Sequence, residues 1–130
     1  MVNFQVVKMY LLQLGYSIEK EDIENELVII SDVQNGINNL VIDCEAPILI
    51  LEQFMLKLKD PKNPEILSKL LKMNRTLVHG AFVLDETGEN VLFRDTLQLA
   101  NLDLNELKGS IDSLVIATAE YVNDFIEFMK

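Results

Sequence analysis

The stretch FVLDETGENVLFRD, residues 82–95, decides the fold, because it reads as two strands joined by a tight turn. Gly88 supplies the positive φ that hairpin loops of three to five residues require. Both strands carry consecutive apolar residues, which we expect to divide between two faces: Phe82, Leu84, Leu92 and the stem of Arg94 on one, and Val83, Val91 and Phe93 on the other. A surface hairpin should be polar on one face, so the sequence leaves open what covers the second.

Two other predicted strands, in residues 27–32 and 48–56, are also apolar on both faces. LVIISD (27–32) is rich in β-branched residues and is followed by Asn35-Gly36, a strong hairpin signal. NLVIDCEA (39–46) is the returning strand, and Pro47 interrupts it. ILILEQFML (48–56) reads as a third strand, although a short apolar run can also begin a helix. Its two expected faces are Ile48, Ile50 and Phe54 against Leu49, Leu51 and Met55.

Three amphipathic helices accompany these strands. Apolar spacing predicts a helix over residues 3–14, and Asn63-Pro64 supplies the cap and first residue of a second helix that ends near Asn74 or Arg75. Asp103, with Glu106 three residues later, caps a third helix of about 26 residues. The acidic stretch 16–26 predicts a short edge strand and loop in which Ile18 and Ile23 are tucked inward.

The order of these elements, α-β-β-β-α-β-β-α, predicts an α+β fold in which helices pack on an antiparallel sheet. A chain of 130 residues fits one domain, residues 1–130. The first and last helices are expected to cover one face of the sheet. The middle helix is short, so it can cover only a part of the other face.

The charge of the chain argues against nucleic acid as a partner, because the formal net charge is −10. The basic residues cluster in one segment, which reads either as a solvated surface or as a dock for an acidic partner: Lys57, Lys59, Lys62, Lys69, Lys72 and Arg75. A single cysteine suits a reducing cytosol. The apolar runs are too short to span a membrane, and we expect a soluble, cytoplasmic protein.

The residue pattern gives little support to catalysis or metal binding. His79 is the only histidine and Cys44 the only cysteine, so they cannot close a zinc site. Cys44 lies between Asp43 and Glu45, whose negative charges raise a thiol's pKa and lower its reactivity. Neither a phosphate-binding loop nor a calcium loop is apparent in the sequence. We therefore expect no catalytic residue, no metal and no cofactor.

The two-sided apolar strands favour a binding function. Burial of six such side chains would gain roughly 1.5–3 kcal/mol each, so about 10 kcal/mol depends on what covers them. One possibility is another protein chain, either a second copy or a client. The other is a twisted sheet wrapped completely within one chain.

The second half of the chain resembles YbjN-type proteins, bacterial relatives of the class I type III secretion chaperone fold. The resemblance is carried by Leu70 to Asn74, Gly80-Ala81-Phe82, Asp85 to Glu89 and Asp103 to Glu106, and it covers about residues 66–128. Residues 1–60 match only in the order of their elements. The resemblance implies a homodimer without catalytic activity. In the secretion chaperones an extended segment of an effector wraps around the dimer and adds a strand to a sheet edge.

These observations predict a non-catalytic, chaperone-like homodimer that binds an extended or amphipathic segment of a client protein. The alternative is a regulatory adapter that recognises one folded partner, and an enzyme that uses His79 or Cys44 is a distant third. The predicted protein-binding residues come from the strands that are apolar on both faces: Ile48, Ile50, Phe82, Leu84, Leu92 and Phe93.

Overall fold

The structure is a computed structural model that describes residues 2–130. Its nine helices and strands, with one 3-10 turn at Val33–Asn35, are as follows in chain order: α1 Phe4–Gln13, β1 Ile18–Asp22, β2 Leu27–Asp32, β3 Ile37–Glu45, β4 Ile48–Lys57, α2 Pro64–Met73, β5 Ala81–Leu84, β6 Asn90–Gln98 and α3 Leu104–Phe128. All six strands form one sheet in the order β1-β2-β3-β4-β6-β5, and every pairing is antiparallel. The α+β class is confirmed, and the expected order α-β-β-β-α-β-β-α fits with one further strand, β1, before α2.

The helix ends follow the local sequence signals. The Asn63 side chain accepts a hydrogen bond of 2.9 Å from the N–H of Glu65, and Pro64 occupies the first helical position of α2. The Asp103 carboxylate accepts a bond of 2.8 Å from the N–H of Glu106 and begins α3. These side chains satisfy N–H groups that have no partner within the helix. Both predicted helix starts are confirmed.

All three helices pack on the same face of the sheet. Alternate strand residues such as Val28, Ile42 and Leu51 are fully buried and form one cluster with apolar residues of α1, α2 and α3. The helix α2 contributes Leu70 and Met73 to this cluster. It therefore belongs to the covered face and leaves the opposite face of the sheet without a helix.

The register of the β5–β6 hairpin corrects the expected division of residues 82–95. Phe82 lies opposite Phe93, and Val83 lies opposite Leu92. The N–H of Asp85 bonds to the carbonyl of Asn90 at 3.1 Å, so the loop comprises residues 86–89. Opposed residues share a face in an antiparallel pair. Phe82, Leu84, Val91 and Phe93 therefore face the helices, whereas Val83, Leu92 and Arg94 face away, and the placement of Leu92 and Arg94 beside Phe82 was wrong.

The acidic stretch 16–26 forms the expected edge strand, β1, which adds a sixth strand to the sheet. Ile18 packs against the core. Ile23 lies in the turn that joins β1 to β2 and is 70% exposed, so its expected inward position was wrong. The turn carries Ile23 past the end of β1, into solvent.

Candidate protein-binding face

The sheet face without helices, which we call the open face, carries apolar side chains from five strands. Cross-strand pairing places Ile29 opposite Val41, and Phe54 opposite Leu92, which in turn lies opposite Val83. Phe54 is 55% exposed, and the others are half-buried. The large apolar side chains of the open face are those of Leu27, Ile29, Val41, Ile48, Ile50, Phe54, Val83 and Leu92. These side chains form a broad surface that can contact a polypeptide.

An ion pair divides this apolar surface into two patches. Glu52 on β4 lies opposite Arg94 on β6, and their side chains form a salt bridge of 2.9 Å. The side chains are 34% and 41% exposed respectively, so the pair is solvated and adds little stability of its own. On one side lie the apolar residues of β2, β3 and the start of β4, and on the other lie Phe54, Leu92 and Val83.

Asp43 brings a polar group into the larger patch. It lies between Leu27 and Ile50 in the cross-strand register. Burial, followed by the negative charge of Glu45, raises the pKa of the Asp43 carboxyl. Its Oδ1 atom is buried and has no hydrogen-bond partner within residues 2–130. This carboxyl group therefore lies among the apolar side chains of the larger patch.

The six residues that the sequence predicted for binding do not share one surface. Ile48, Ile50 and Leu92 lie half-buried on the open face. Phe82 and Phe93 are core residues, 4% and 0% exposed, so neither is available to a partner of this monomer. Their rings contact each other edge to face at a centroid distance of 6.4 Å.

The sixth predicted residue, Leu84, is 41% exposed and lines a groove between α2 and β5. The groove is mostly apolar, encloses about 490 Å³ and includes Leu67 and Leu71 of α2. At its base the Asn74 side chain accepts a bond of 2.8 Å from the N–H of Phe82 and donates one of 3.1 Å to its carbonyl. Asn74 thus occupies the outer edge of β5 at Phe82, where an added strand would bond.

Several residues of the open face were not predicted from the sequence as binding residues. Leu27 and Ile29 belong to a stretch recognised as apolar on both sides, and Val41 stands between Leu40 and Ile42 in a run of three apolar residues. That run was a usable signal, because successive residues of a strand point to opposite faces. The Glu52–Arg94 pair joins residues 42 positions apart, and only the strand register reveals it.

The hydrogen bonds of His79 and the burial of Cys44 fit structural roles for both residues. The N–H of His79 donates to Ser113 Oγ at 3.1 Å, and Ser113 Oγ donates to the His79 carbonyl at 2.7 Å, which ties the loop before β5 to α3. A Cβ atom on Gly109 would lie 3.1 Å from the His79 ring. Cys44 is 7% exposed, and burial, with the charges of Glu26, Asp43 and Glu45, raises the pKa of its thiol to about 11.

Within residues 2–130, no three His, Cys, Asp or Glu side chains are grouped so that they could hold a metal ion. In the same part of the chain, none of the helices has the length and apolar character needed to cross a bilayer.

The acidic turn at residues 85–89 is held by its own side chains. Asp85 accepts hydrogen bonds from Asn90 and Thr87, and these bonds lower the pKa of the Asp85 carboxyl.

Comparison with known proteins agrees with this architecture. The family model CesT_Tir_1 matches residues 1–130. Curated proteins give no match to the chain. Among solved structures, YbjN from E. coli is 13% identical, with a TM-score of 0.71, and the alignment covers 94% of this chain and 92% of that chain.

Two further structures are complexes. A chain of the HopA1–SchA chaperone–effector complex is 16% identical with a TM-score of 0.63, and the alignment covers 95% of this chain and 94% of that one. The complex of the Yersinia pestis type III secretion chaperone SycH with a fragment of YscM2 matches at 14% identity and a TM-score of 0.63, over 90% of this chain and 98% of that one. The similarity to YbjN and to the type III secretion chaperone fold is confirmed.

Proposed function

The chain belongs to the CesT_Tir_1 family, and from that premise we propose that it is a non-catalytic, chaperone-like protein of the cytoplasm. It acts as a homodimer and binds an extended or amphipathic segment of a client protein. The observation that carries the proposal is the open face, on which eight large apolar side chains remain without cover from the chain's own helices. Similar solved structures that are themselves chaperone complexes support it.

A client segment would gain affinity mainly from burial of the open face. Except for Phe54, its large apolar side chains are already half-buried, so covering the rest of each gains roughly 0.5–1 kcal/mol. A peptide that crosses the strands would place apolar side chains on the two patches that flank Glu52 and Arg94. These charges, which are partly exposed, offer hydrogen bonds to its backbone. Selectivity would then come from the spacing of the client's apolar residues.

An unfolded probe tests this proposal without a known client. The probe is fluorescently labelled, reduced and carboxymethylated α-lactalbumin, and its binding is followed by fluorescence anisotropy. The variant Ile50→Asp places a charge in the larger patch of the open face. The matched control is Ile23→Asp, which introduces the same change at an exposed turn residue. Circular dichroism verifies that both variants fold.

We expect the wild-type protein and Ile23→Asp to bind the probe equally, and Ile50→Asp to bind about tenfold more weakly or worse. If Ile50→Asp binds the probe as tightly as the wild-type protein, the open face is not the binding surface. Failure of the wild-type protein to bind would overturn the client-binding function and favour an adapter for one folded partner. Loss of the dimer in Ile50→Asp would show that the open face is covered by a second copy instead.

The homodimer is tested separately by sedimentation equilibrium. The expected mass is twice the 14.8 kDa of one chain. A mass of one chain at micromolar concentration would overturn the dimer but leave client binding by the monomer open to the probe experiment.

A further inference from the structure

The Lys and Arg residues of this chain fall into two groups with different surroundings. Of 11 basic and 21 acidic residues in the chain, residues 57–75 contain six and two, which leaves five and nineteen for the rest. Within residues 2–130, none of the six forms an ion pair, and all six are exposed. Four of the five basic residues elsewhere do form ion pairs: Lys8, Arg94, Lys108 and Lys130. We call residues 57–75 the basic segment.

This separation of charge leaves a positive potential over one part of an acidic protein. Charges more than about 8 Å away are largely screened at physiological ionic strength, so the acidic remainder of the chain does not cancel the potential there. Exposed ion pairs add little stability, so the missing acidic neighbours cost the fold little. A positive surface of this kind attracts and orients a negatively charged partner.

The start of the basic segment borders a partly apolar pocket at one end of the sheet. The pocket encloses about 670 Å³ where the end of β4 meets the end of α3. Leu56 and Leu58, which are buried, contribute to its lining, and so do the more exposed side chains of Phe54 and Met129. A pocket of this size and lining can receive a large apolar side chain.

Lys57 and Lys59 line this pocket, and the backbone beside them is held by hydrogen bonds. The N–H of Leu58 donates to the Glu89 carbonyl at 2.8 Å, and the N–H of Lys59 donates to the Phe128 carbonyl at 3.0 Å. Glu89 also lines the pocket, but in the described part of the chain its carboxylate forms no ion pair with either lysine. Apolar side chains and two unpaired ammonium groups therefore meet at one site.

The rest of the basic segment continues from the pocket into α2. Pro61 lines the pocket, and Lys62 follows it directly in the chain. Lys69 and Lys72 are three residues apart within α2, so they share one face of that helix. A partner segment anchored in the pocket can therefore meet further basic side chains if it extends along α2.

We propose that this pocket binds an acidic segment of a partner protein, in which one large apolar side chain enters the pocket and flanking carboxylates pair with Lys57 and Lys59. The unpaired lysines favour negative charge, and the apolar lining favours a side chain beside that charge. Five of the six basic residues are lysines, which lack the planar fork with which arginine binds phosphate. A nucleic acid or a membrane would also bring its phosphates towards the acidic remainder of the chain. A site for an acidic segment goes beyond the proposed function and requires neither the homodimer nor a client on the open face.

Fluorescence anisotropy with a short labelled peptide tests this site. The probe carries a single phenylalanine flanked on both sides by glutamates. A second peptide has glutamines in place of the glutamates, and a third has alanine in place of the phenylalanine. The full chain is compared with Lys57→Glu and Lys59→Glu. The matched control is Lys20→Glu, which changes the net charge equally at an exposed lysine that forms no ion pair within residues 2–130.

We expect the wild-type protein and Lys20→Glu to bind the probe equally, and Lys57→Glu and Lys59→Glu each to bind about tenfold more weakly. The glutamine peptide and the alanine peptide should each bind the wild-type protein about tenfold more weakly than the probe, and added salt should weaken binding of the probe. Equal binding by all three lysine variants would overturn the site. Equal binding of the probe and either altered peptide would overturn the stated partner chemistry. Circular dichroism verifies that the variants fold.

Met129→Ser tests the apolar lining while both lysines stay in place. Its matched control is Met9→Ser, at a methionine of α1 that is 56% exposed. We expect Met129→Ser alone to weaken binding of the probe, by about fivefold. Single-stranded DNA or phosphatidylserine vesicles are offered in the same assay. Tighter binding of either than of the peptide, with the same loss in Lys57→Glu, would overturn a protein partner.

The outcomes separate this site from the proposed function. Ile50→Asp changes the larger patch of the open face and should bind the acidic peptide as tightly as the wild-type protein does. Loss of the peptide in Ile50→Asp would place the peptide on the open face and overturn the pocket. Failure of the wild-type protein to bind the peptide overturns the pocket as well, while the experiment with unfolded α-lactalbumin keeps its own result.

Discussion

Replacement of two neighbouring residues, Phe93→Ala and Leu92→Ala, tests the assignment of the two sheet faces. Phe93 is 0% exposed, and its ring contacts that of Phe82. A Cβ atom on Gly80 would lie 2.6 Å from the Phe93 ring, so the chain closes tightly around it. Leu92, the preceding residue, points to the open face and is half-buried.

The expected losses of stability differ severalfold. Truncation of a buried phenylalanine removes its transfer free energy and leaves a cavity, which together cost about 3–5 kcal/mol. Leu92→Ala loses only the burial of a half-covered side chain and leaves no enclosed cavity, so about 1 kcal/mol is expected. A domain of this size is stable by about 5–15 kcal/mol, so Phe93→Ala should fold but be marginal.

Urea unfolding followed by far-ultraviolet circular dichroism measures both differences. The dependence of the unfolding free energy on urea concentration should stay unchanged, so that the midpoint reports stability alone. Equal losses for the two variants, or a larger loss for Leu92→Ala, would refute the placement of Phe93 in the core and of Leu92 on the open face. The register of the hairpin would then be wrong.

Two other substitutions and one measurement of thiol reactivity test individual residues. Asn74→Ala removes both side-chain hydrogen bonds to the Phe82 backbone and should lower the free energy of unfolding in urea by about 1–3 kcal/mol. The substitution also frees the β5 edge, so light scattering should show more self-association. Cys44 should react with a thiol reagent at pH 8 about a hundredfold more slowly than a thiol of ordinary pKa 9.0, because burial raises its pKa to about 11. Equal reaction rates in the folded and the urea-unfolded protein would contradict this prediction. The raised pKa of Asp43 means that its charge destabilises the fold at neutral pH and that protonation relieves this cost as pH falls through the raised pKa. Asp43→Asn should therefore be more stable than the wild type at pH 7, with a smaller difference at pH 4, and an identical difference at both pH values would count against the buried carboxylate.

Features that depend on neighbouring residues could be predicted from the sequence. The caps at Asn63 and Asp103 follow from local hydrogen bonds, and the strand alternation at residues 48–54 follows from the two-residue period. The number of apolar positions also indicated strands that are apolar on both faces, but it left open what covers the second face. The partial cover expected from the middle helix was wrong, because α2 packs on the same face as α1 and α3.

Features that depend on register could not be predicted in this way. The bond between Asp85 and Asn90 sets the loop length, and a loop one residue shorter would have placed Leu92 beside Phe82 as expected. Phe82 and Phe93 were both included among the binding residues because the sequence does not show which side of each strand faces the helices. The Glu52–Arg94 pair and the Asn74 contact with Phe82 join separate elements, and only the assembled sheet brings them together.

Methyl cross-saturation in nuclear magnetic resonance tests most directly whether the open face receives another polypeptide. The protein carries labelled methyl groups in Ile, Leu and Val within a deuterated background, and the protonated unfolded α-lactalbumin probe is irradiated. The account predicts signal loss at Ile29, Ile50 and Leu92, whereas the buried methyl groups of Ile42 and Leu51 keep their intensity. Signal loss confined to other surfaces, with Ile29, Ile50 and Leu92 unaffected, would contradict it.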